Sequence, residues 1–290
     1  MTIEWFPGHM ATARKKAAEA MRTIDVVIEV LDARVPGASS NPLIEKLRRE
    51  RQRPCLKVLN KADLADPDAT AAWVRHLGRE KGVSAVAISS KRPADVAKIP
   101  RLAAALVPHR EGKRVRMMVM GAPNVGKSTL VNALLKRKAA KTGDEPAVTR
   151  HQSRFALDDG NDLIDTPGLM SPSIPSERVA YLLAASHLIG PESYASEDVP
   201  GFLGDLLAER YPALLRTRYD LDEGAKLDGP AVISAIARKR GYLRKGGAPD
   251  LEKAGRALMQ DFREGRLGRV TLELPAPAGA SPARSPGQTG

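Results

Sequence analysis

The sequence has almost no cysteine and no long apolar run. Cys55 is the only cysteine, so neither a disulfide framework nor a cysteine-based metal site is available, as is typical of a reducing compartment. No apolar run approaches the roughly 18 residues of a membrane span, and the N-terminus lacks the regions of a signal peptide. We therefore expect a cytoplasmic protein that does not contact a membrane.

Acidic residues are outnumbered by basic ones. The chain has 290 residues, enough for one large and one smaller domain, with 46 Lys and Arg against 34 Asp and Glu, a net charge of +12 and a pI near 9.9. The excess is spread along the chain, which favours a broad RNA-facing surface, although general solubility is the alternative.

Apolar strands alternate with helical segments in the first half of the chain. Strands are predicted at 26–31, 55–59, 83–88 and 115–120, and helices at 10–22, 42–50, 67–81, 94–107 and 128–138. This alternation indicates an α/β fold with a mostly parallel sheet that has helices on both faces. The ligands of such sheets lie at the carboxyl ends of the strands.

The second half changes character. A hairpin of strands at 154–157 and 162–165 is followed by helices at 177–189, 230–240 and 250–264 and a short strand at 269–274, whereas 190–228 is predicted as helical pieces. We expect an α/β domain over 1–175, a smaller and mainly helical domain over 176–274, and a disordered tail over 275–290.

A phosphate-binding loop is indicated by GAPNVGKS at 121–128, between a predicted strand and a predicted helix. Its glycines let backbone N–H groups point at phosphates, Lys127 would reach the β- and γ-phosphates, and Ser128 would bind Mg²⁺. A glycine-rich turn without a ligand is the alternative. The other predicted nucleotide contacts in this segment are Asn124, Val125, Gly126 and Thr129.

The base is predicted from NKAD at 60–63, which follows a strand directly. The Asp63 carboxylate can accept hydrogen bonds from N1–H and the amino group of guanine, and adenine has no matching pair of donors. Asn60 would hold the neighbouring loop and the purine N7, and the stem of Lys61 would cover the ring. Alone, such a tetrapeptide could be a surface turn.

The companion base loop is predicted at the end of the next strand, where the N–H of Ser90 would meet guanine O6. This loop consists of Ser89, Ser90 and Lys91.

The phosphate side is completed by DTPG at 165–168, where Asp165 would hold Mg²⁺ through water and the Gly168 N–H would sense the γ-phosphate. Thr149 is the candidate for closing over Mg²⁺. Together the motifs indicate a P-loop GTPase of the translation-factor type.

The order of these motifs is unusual, because the base loops at 60 and 89 precede the phosphate loop at 121. The domain is therefore predicted to be circularly permuted, with the γ-phosphate sensor just before the helical domain. We hypothesise that a change in this loop on hydrolysis pulls on the C-terminal helices.

With these residues identified, the chain resembles the ribosome biogenesis GTPase A family of circularly permuted, YlqF-type GTPases over residues 4–274. The residues that carry the resemblance, besides the permuted loops, are WFPGHM at 5–10, DAR at 32–34 with Pro36, and DLEKAGRALMQDFREGRLG at 250–268. One departure is Ala147, where the family usually has glycine. The resemblance implies a GTP- and Mg²⁺-dependent factor that binds the large ribosomal subunit or its precursor, contacts rRNA and leaves after hydrolysis, with no other small-molecule substrate than GTP and water.

Catalysis needs a group other than the usual glutamine, since Leu169 follows the DTPG motif. The family resemblance implies that His9 orients the attacking water on the ribosomal particle, and the alternative is that His9 packs beside Trp5 and Phe6. Asn124 resembles the position that coordinates K⁺ in potassium-activated GTPases, with a loop-stabilising hydrogen bond as the alternative.

Three other functions remain open from the sequence. A P-loop kinase or ATPase is disfavoured by NKAD at 60–63. An RNA-binding assembly protein could use GTP only as a structural ligand, and a GTPase could act in translation or RNA modification.

Overall fold

One six-stranded sheet organises the first half of the chain. The computed structural model describes residues 15, 17–136, 153–166, 168–169, 174–190, 198–224 and 226–276. The strands are β1 (Val26–Asp32), β2 (Cys55–Asn60), β3 (Val83–Ala87), β4 (Arg116–Met120), β5 (Ser153–Ala156) and β6 (Asp162–Asp165). Their spatial order is β3-β2-β1-β4-β6-β5, and only the β5–β6 pair is antiparallel. The predicted mostly parallel sheet is confirmed.

The central strands are buried on both faces, as their nearly continuous apolar sequences predict. Along β1, Ile28 and Val30 point into one hydrophobic cluster, whereas Val27 points into another on the opposite face. In β4 the same alternation separates Met117 from Met118. This two-residue period requires helices on both faces of the sheet.

Six helices connect the strands and cover the sheet. They are α1 (Pro36–Ser39), α2 (Pro42–Glu50), α3 (Pro67–Leu77), α4 (Pro93–Val96), α5 (Ile99–Ala104) and α6 (Lys127–Leu134), and a 3-10 turn follows at Pro108–Arg110. Residues 17–20 are also helical, and they pack with α2 on one face, whereas α5 and α6 lie on the other. The start of α2 follows from its sequence, because Asn41 caps it and Pro42 occupies its first position.

The elements after β6 are helices, as predicted. They are α7 (Glu177–Ala185), α8 (Val199–Arg210), α9 (Pro212–Tyr219), α10 (Gly229–Lys239) and α11 (Leu251–Arg263). Their buried side chains form one continuous cluster with the side chains on one face of the sheet. The predicted boundary at residue 175 stays a prediction.

Several predicted helices were too long. The helix predicted at 67–81 ends at Leu77, before the Gly78 cap, and the helix predicted at 177–189 ends at Ala185. The helix predicted at 94–107 is two helices, α4 and α5, because Pro100 has no N–H with which to continue a helix. The predicted helices are therefore present, but the residues at which they end were predicted wrongly.

The strand predicted at 269–274 is wrong. This segment is extended, but its hydrogen bonds go to loops that follow β1 and β2, so no regular ladder forms. The N–H of Val270 donates to Leu64 O at 3.0 Å, and the N–H of Leu272 donates to Arg34 O at 2.7 Å. The alternating sequence is satisfied instead by burial of Val270 and Leu272. The C-terminal segment thus returns to the sheet.

A buried arginine makes the second connection between the sheet and the helices. Arg34 forms a two-point ion pair with Asp32, with Nε to Oδ1 at 2.9 Å and Nη2 to Oδ2 at 2.7 Å. Its Nη1 donates to Arg263 O at 3.2 Å, at the end of α11, and its guanidinium lies 4.9 Å from the centre of the Phe262 ring. Both charged side chains are almost completely buried.

No helix within the described ranges is long and apolar enough to cross a membrane.

We expect Arg34→Met to destabilise the protein by about 3 kcal/mol, because it leaves Asp32 buried with less compensation. The ion pair holds the pKa of Asp32 below its ordinary value against the effect of burial, so its contribution is present above the ordinary pKa of 3.8 and is lost as the pH falls below it. Urea denaturation measures both effects.

The matched control is Arg49→Met, since Arg49 pairs with Glu45 and Glu80 but is 60% exposed. This change should cost less than about 1 kcal/mol. Equal losses from the two substitutions would show that the Arg34 pair is not a structural connection.

Candidate nucleotide-binding site

The predicted motifs converge on one edge of the sheet. Parallel strands β1, β2, β3, β4 and β6 all end there, and β1 and β4 are neighbours whose connections lead to opposite sides. Such a point, where the strand order reverses, leaves a crevice for a ligand. The described loop residues at this edge are 32–34, 60–63, 89–91, 121–128, 165–166 and 168.

The phosphate-binding loop requires glycine at both ends. Gly121 and Gly126 have φ of +145° and +99°, which side chains disfavour. A Cβ at Gly121 would lie 2.4 Å from Val30 O, and one at Gly126 would lie 2.3 Å from Asn60 Nδ2. Helix α6 starts at Lys127 directly after the loop, so its N-terminal N–H groups and its dipole favour an anion there.

Asn60 joins the phosphate loop to both base loops. Its Nδ2 donates to Val125 O at 2.9 Å, and its Oδ1 accepts from Ser90 N at 3.0 Å and from Ser90 Oγ at 2.8 Å. The predicted holding of the neighbouring loop is thus visible in the geometry. The predicted contact of Ser90 N–H with guanine O6 stays a prediction, and in this structure the N–H donates to Asn60.

Lys61 lies between the base loop and the phosphate loop. Its backbone has φ of +61°, and its Nζ donates to Asn124 O and to Asp32 Oδ2, both at 2.8 Å. The carbonyl of Asn124 belongs to the phosphate loop, so the ion pair with Asp32 aligns two parts of the site. These contacts fix the position of the Lys61 side chain, and its covering of a base stays a prediction.

Asp63 is suited to accept hydrogen bonds from a base. Burial raises its pKa, but a hydrogen bond from Ser89 and the nearby charge of Lys91 outweigh this and hold the pKa below its ordinary value. Lys91 Nζ lies 3.5 Å from Asp63 Oδ2 and is mostly exposed, whereas Ser89 is buried. Asp63 is therefore ionised at neutral pH, with the acceptor pair that guanine requires.

The phosphate end combines a buried amine with a buried carboxylate. Lys127 Nζ donates to Ala122 O at 2.6 Å inside the loop. Burial lowers the pKa of Lys127 and raises that of Asp165, and the attraction between the two charges opposes both shifts. Asp165 Oδ1 is buried without a hydrogen-bond partner in the described part of the chain. An oxygen of this kind suits a hard cation such as Mg²⁺.

The remaining residues of the loop differ in their surroundings. Asn124 Nδ2 donates to His187 O at 2.9 Å, so the loop-stabilising hydrogen bond is present and the K⁺ role stays a prediction. Val125 is buried, Ser128 is half-buried at the start of α6, and Thr129 is exposed. Gly168 lies so close to the loop that a Cβ would stand 3.0 Å from Pro123 Cα.

Leu169 is almost completely buried. Its side chain is buried among the residues of the face that carries α2. This agrees with the prediction that it cannot orient water. His9 and Thr149, the predicted catalytic histidine and closing threonine, lie outside the described residues, and so do Trp5 and Phe6.

Sequence reasoning missed a buried ion pair below this edge. Glu29 on β1 is paired in register with Lys57 on β2, and Lys57 Nζ lies 3.1 Å from Glu29 Oε2. Burial lowers the pKa of Lys57, but the charge of Glu29 more than compensates and raises it. The signal was available, because Glu29 and Lys57 are charges of opposite sign, each in the middle of an otherwise apolar stretch of its strand.

Comparison with known proteins agrees with this geometry. A family model described as a 50S ribosome-binding GTPase matches residues 116–193. Ribosome biogenesis GTPase A of Bacillus cereus is 37% identical over 284 residues, 95% of each chain. Mitochondrial ribosome-associated GTPase 1 of Bos taurus is 33% identical over 299 residues, 93% of this chain and 88% of that one.

A solved structure has the same fold. The GDP-bound structure of TM YlqF superposes with a TM-score of 0.65 at 26% identity, over 90% of this chain and 99% of that one. The six-stranded sheet, the phosphate loop that follows the base loops along the chain, and these near-full-length similarities have one explanation: the chain is a circularly permuted GTPase and belongs to the ribosome biogenesis GTPase A family.

Proposed function

We propose that this GTPase binds the large ribosomal subunit or its precursor in the GTP state, contacts rRNA, and leaves after hydrolysing GTP. The observation that carries the proposal is a complete set of guanine and phosphate loops at one sheet edge in a chain with close ribosome biogenesis GTPase relatives. The names of the relatives support a role in ribosome biogenesis, and the 50S ribosome-binding GTPase model supports the large subunit as the partner.

A basic turn supports contact with RNA. We define the basic turn as residues 238–245, RKRGYLRK, which carry five basic residues and no acid. Arg238, Arg244 and Lys245 are exposed there, and Lys253 Nζ lies 4.5 Å from the centre of the Tyr242 ring. Exposed cations beside an aromatic ring suit phosphates and unstacked bases.

A buried carboxylate orders part of this basic surface. Asp261 on α11 is 1% exposed, and it accepts from Arg218 Nε at 2.9 Å, from Tyr219 Oη at 3.0 Å and from Arg240 Nη2 at 2.5 Å. The hydrogen bonds and charges of these partners outweigh burial, so the pKa of Asp261 lies below its ordinary value. Fixed arginines lose less conformational entropy when they bind a phosphate.

In hydrolysis the loop N–H groups hold the phosphates, and Lys127 exchanges its hydrogen bond with Ala122 O for phosphate oxygens. Ser128, Thr149 and Asp165 would hold Mg²⁺, which offsets phosphate charge when bound. Gly168 senses the γ-phosphate. Because Leu169 cannot orient water, hydrolysis by the isolated protein is slow, and His9 completes the site on the particle.

The decisive experiment measures GTP turnover in K⁺ buffer by the protein without ribosomal particles, with large ribosomal subunits, and with small subunits as the control. Large subunits should stimulate turnover at least tenfold, and small subunits should not stimulate it. Equal stimulation by both subunits, or none by either, would contradict the proposal. A Na⁺ arm separates the two roles of Asn124, because equal rates in the two salts would leave it with the hydrogen bond to His187.

Measuring the affinity for large ribosomal subunits at several salt concentrations tests the basic turn by charge reversal. Arg244→Glu with Lys245→Glu should weaken binding to large subunits at least tenfold and flatten its salt dependence. The control pair is Lys98→Glu with Arg101→Glu, which makes the same change in net charge at exposed positions on and before α5. Equal losses from the two pairs would remove the turn as a specific contact.

Guanine recognition by Asp63 has its own test. Asp63→Asn should weaken GTP binding at least about tenfold, because one of two charge-assisted hydrogen bonds is lost. It should strengthen binding of xanthosine triphosphate, whose C2 carbonyl accepts from the new amide. Asp68→Asn on the exposed first turn of α3 is the control. Unchanged affinities for both nucleotides would exclude Asp63 as the base reader.

A further inference from the structure

We propose that Asn41 is a positioning residue for GTP hydrolysis, which holds the γ-phosphate sensor loop in register with the phosphate-binding loop. Asn41 lies before α2, far along the chain from residues 165–168, and no nucleotide motif includes it. The proposal rests on the proposed role of Gly168 as the sensor, and the experiment below separates the two.

The backbone next to the sensor is held from both sides. The N–H of Leu169 donates to Gly121 O at 3.1 Å, and Leu169 O accepts from Asn41 Nδ2 at 2.8 Å. The Leu169 side chain is buried at 2% exposure. Three constraints thus act on the residue that follows Gly168, and Gly168 itself lies against Pro123 of the phosphate loop.

The orientation of Asn41 is determined by its own surroundings. Its Oδ1 accepts from Leu43 N at 2.9 Å, and its backbone N–H donates to Glu29 Oε1 at 3.1 Å. Because the amide oxygen must face the Leu43 N–H, the amide nitrogen must face Leu169 O. The residue is 3% exposed, so water does not replace either partner.

The buried ion pair explains how the segment before α2 is fixed. Glu29 Oε2 lies 3.1 Å from Lys57 Nζ, which also donates to Ser40 Oγ at 3.1 Å. Lys57 therefore holds Ser40 through its side chain, and Glu29 holds Asn41 through its backbone N–H. Buried ion pairs add little net stability compared with apolar residues, but they do fix one geometry. Here the geometry that they fix is the position of Asn41.

A hydrogen bond to Leu169 matters when Gly168 must meet a γ-phosphate. GDP has no such group, and its phosphates would bind to the loop at 121–128, whereas the side-chain hydrogen bonds of Asn41 in the described part of the chain go to Leu43 and Leu169. Loss of the Asn41 donor should therefore weaken interactions that only GTP makes. A purely structural role would instead change the affinities for GDP and GTP alike.

The test uses two substitutions that keep the cap of α2. Asn41→Ser and Asn41→Asp both retain an oxygen for Leu43 N, but neither offers the amide donor for Leu169 O. We expect GDP affinity within twofold of the parent protein, and a loss of about tenfold in affinity for a non-hydrolysable GTP analogue and in kcat, the effect of one good hydrogen bond. Equal losses for both nucleotides, or unchanged values for both, would overturn the proposal.

Two further variants complete the design. Asp228 caps α10, because its Oδ1 accepts a hydrogen bond from Ala231 N. Asp228→Ser makes a matched change in this cap and should alter neither the affinity for GDP nor that for the GTP analogue. Gly168→Ala pushes a methyl group towards Pro123 and should reproduce the GTP-specific loss. If Gly168→Ala leaves the GTP-to-GDP ratio unchanged, the sensor role fails. If it changes the ratio and the Asn41 variants do not, only the positioning role fails.

Discussion

The structure depends on one fully buried carboxylate, that of Asp32 at the end of β1. Burial alone would make this charge costly, and it is compensated by Arg34 on one side and Lys61 on the other. Lys61 continues to the phosphate loop through Asn124 O, and Arg34 continues to the end of α11 through Arg263 O. A single charge therefore joins the base loop, the phosphate loop and the helical half of the chain.

The permuted order of the chain leaves the sheet edge unchanged, because the loops meet through strand neighbours and not through sequence neighbours. What the order changes is the connection that leaves the site. After β6 the chain enters α7, and His187 just beyond that helix accepts a hydrogen bond from Asn124 of the phosphate loop. Arg263 of α11 donates to Ala184 O and Ala185 O at the end of the same helix. The phosphate loop thus contacts the end of α7 through Asn124, and the same end of α7 contacts α11 through Arg263.

The sequence was sufficient for most of the fold because its signals are local. Apolar runs located β1 to β4, a hairpin pattern located β5 and β6, and glycine, asparagine and aspartate at the carboxyl ends of strands located the predicted nucleotide loops. Signals that depend on distant partners failed. The alternating segment at 269–274 predicted a strand, but its partners are loop carbonyls of residues 34 and 64, which no local pattern reveals. Pro100 was a local signal, and it was overlooked when one helix was predicted at 94–107.

The site shows the same division. The motifs predicted loops that meet at one edge of the sheet, whereas several residues that hold these loops in place were invisible until the strands were placed in register. Asp32 as the partner of Lys61 and Asn41 as the donor to Leu169 each require two segments to meet. Their side chains are ordinary polar residues in the sequence, and only burial and orientation give them a role.

The central claim is that the nucleotide edge and the helical half respond together. Amide hydrogen exchange of the full chain, compared with a GTP analogue and with GDP, tests it most directly. The account predicts that protection differs between the two nucleotides at residues 184–188 and 262–266, where Asn124, Arg34 and Arg263 make their contacts. The exposed face of α3 should show no difference. Identical protection of both segments in the two states would contradict the account.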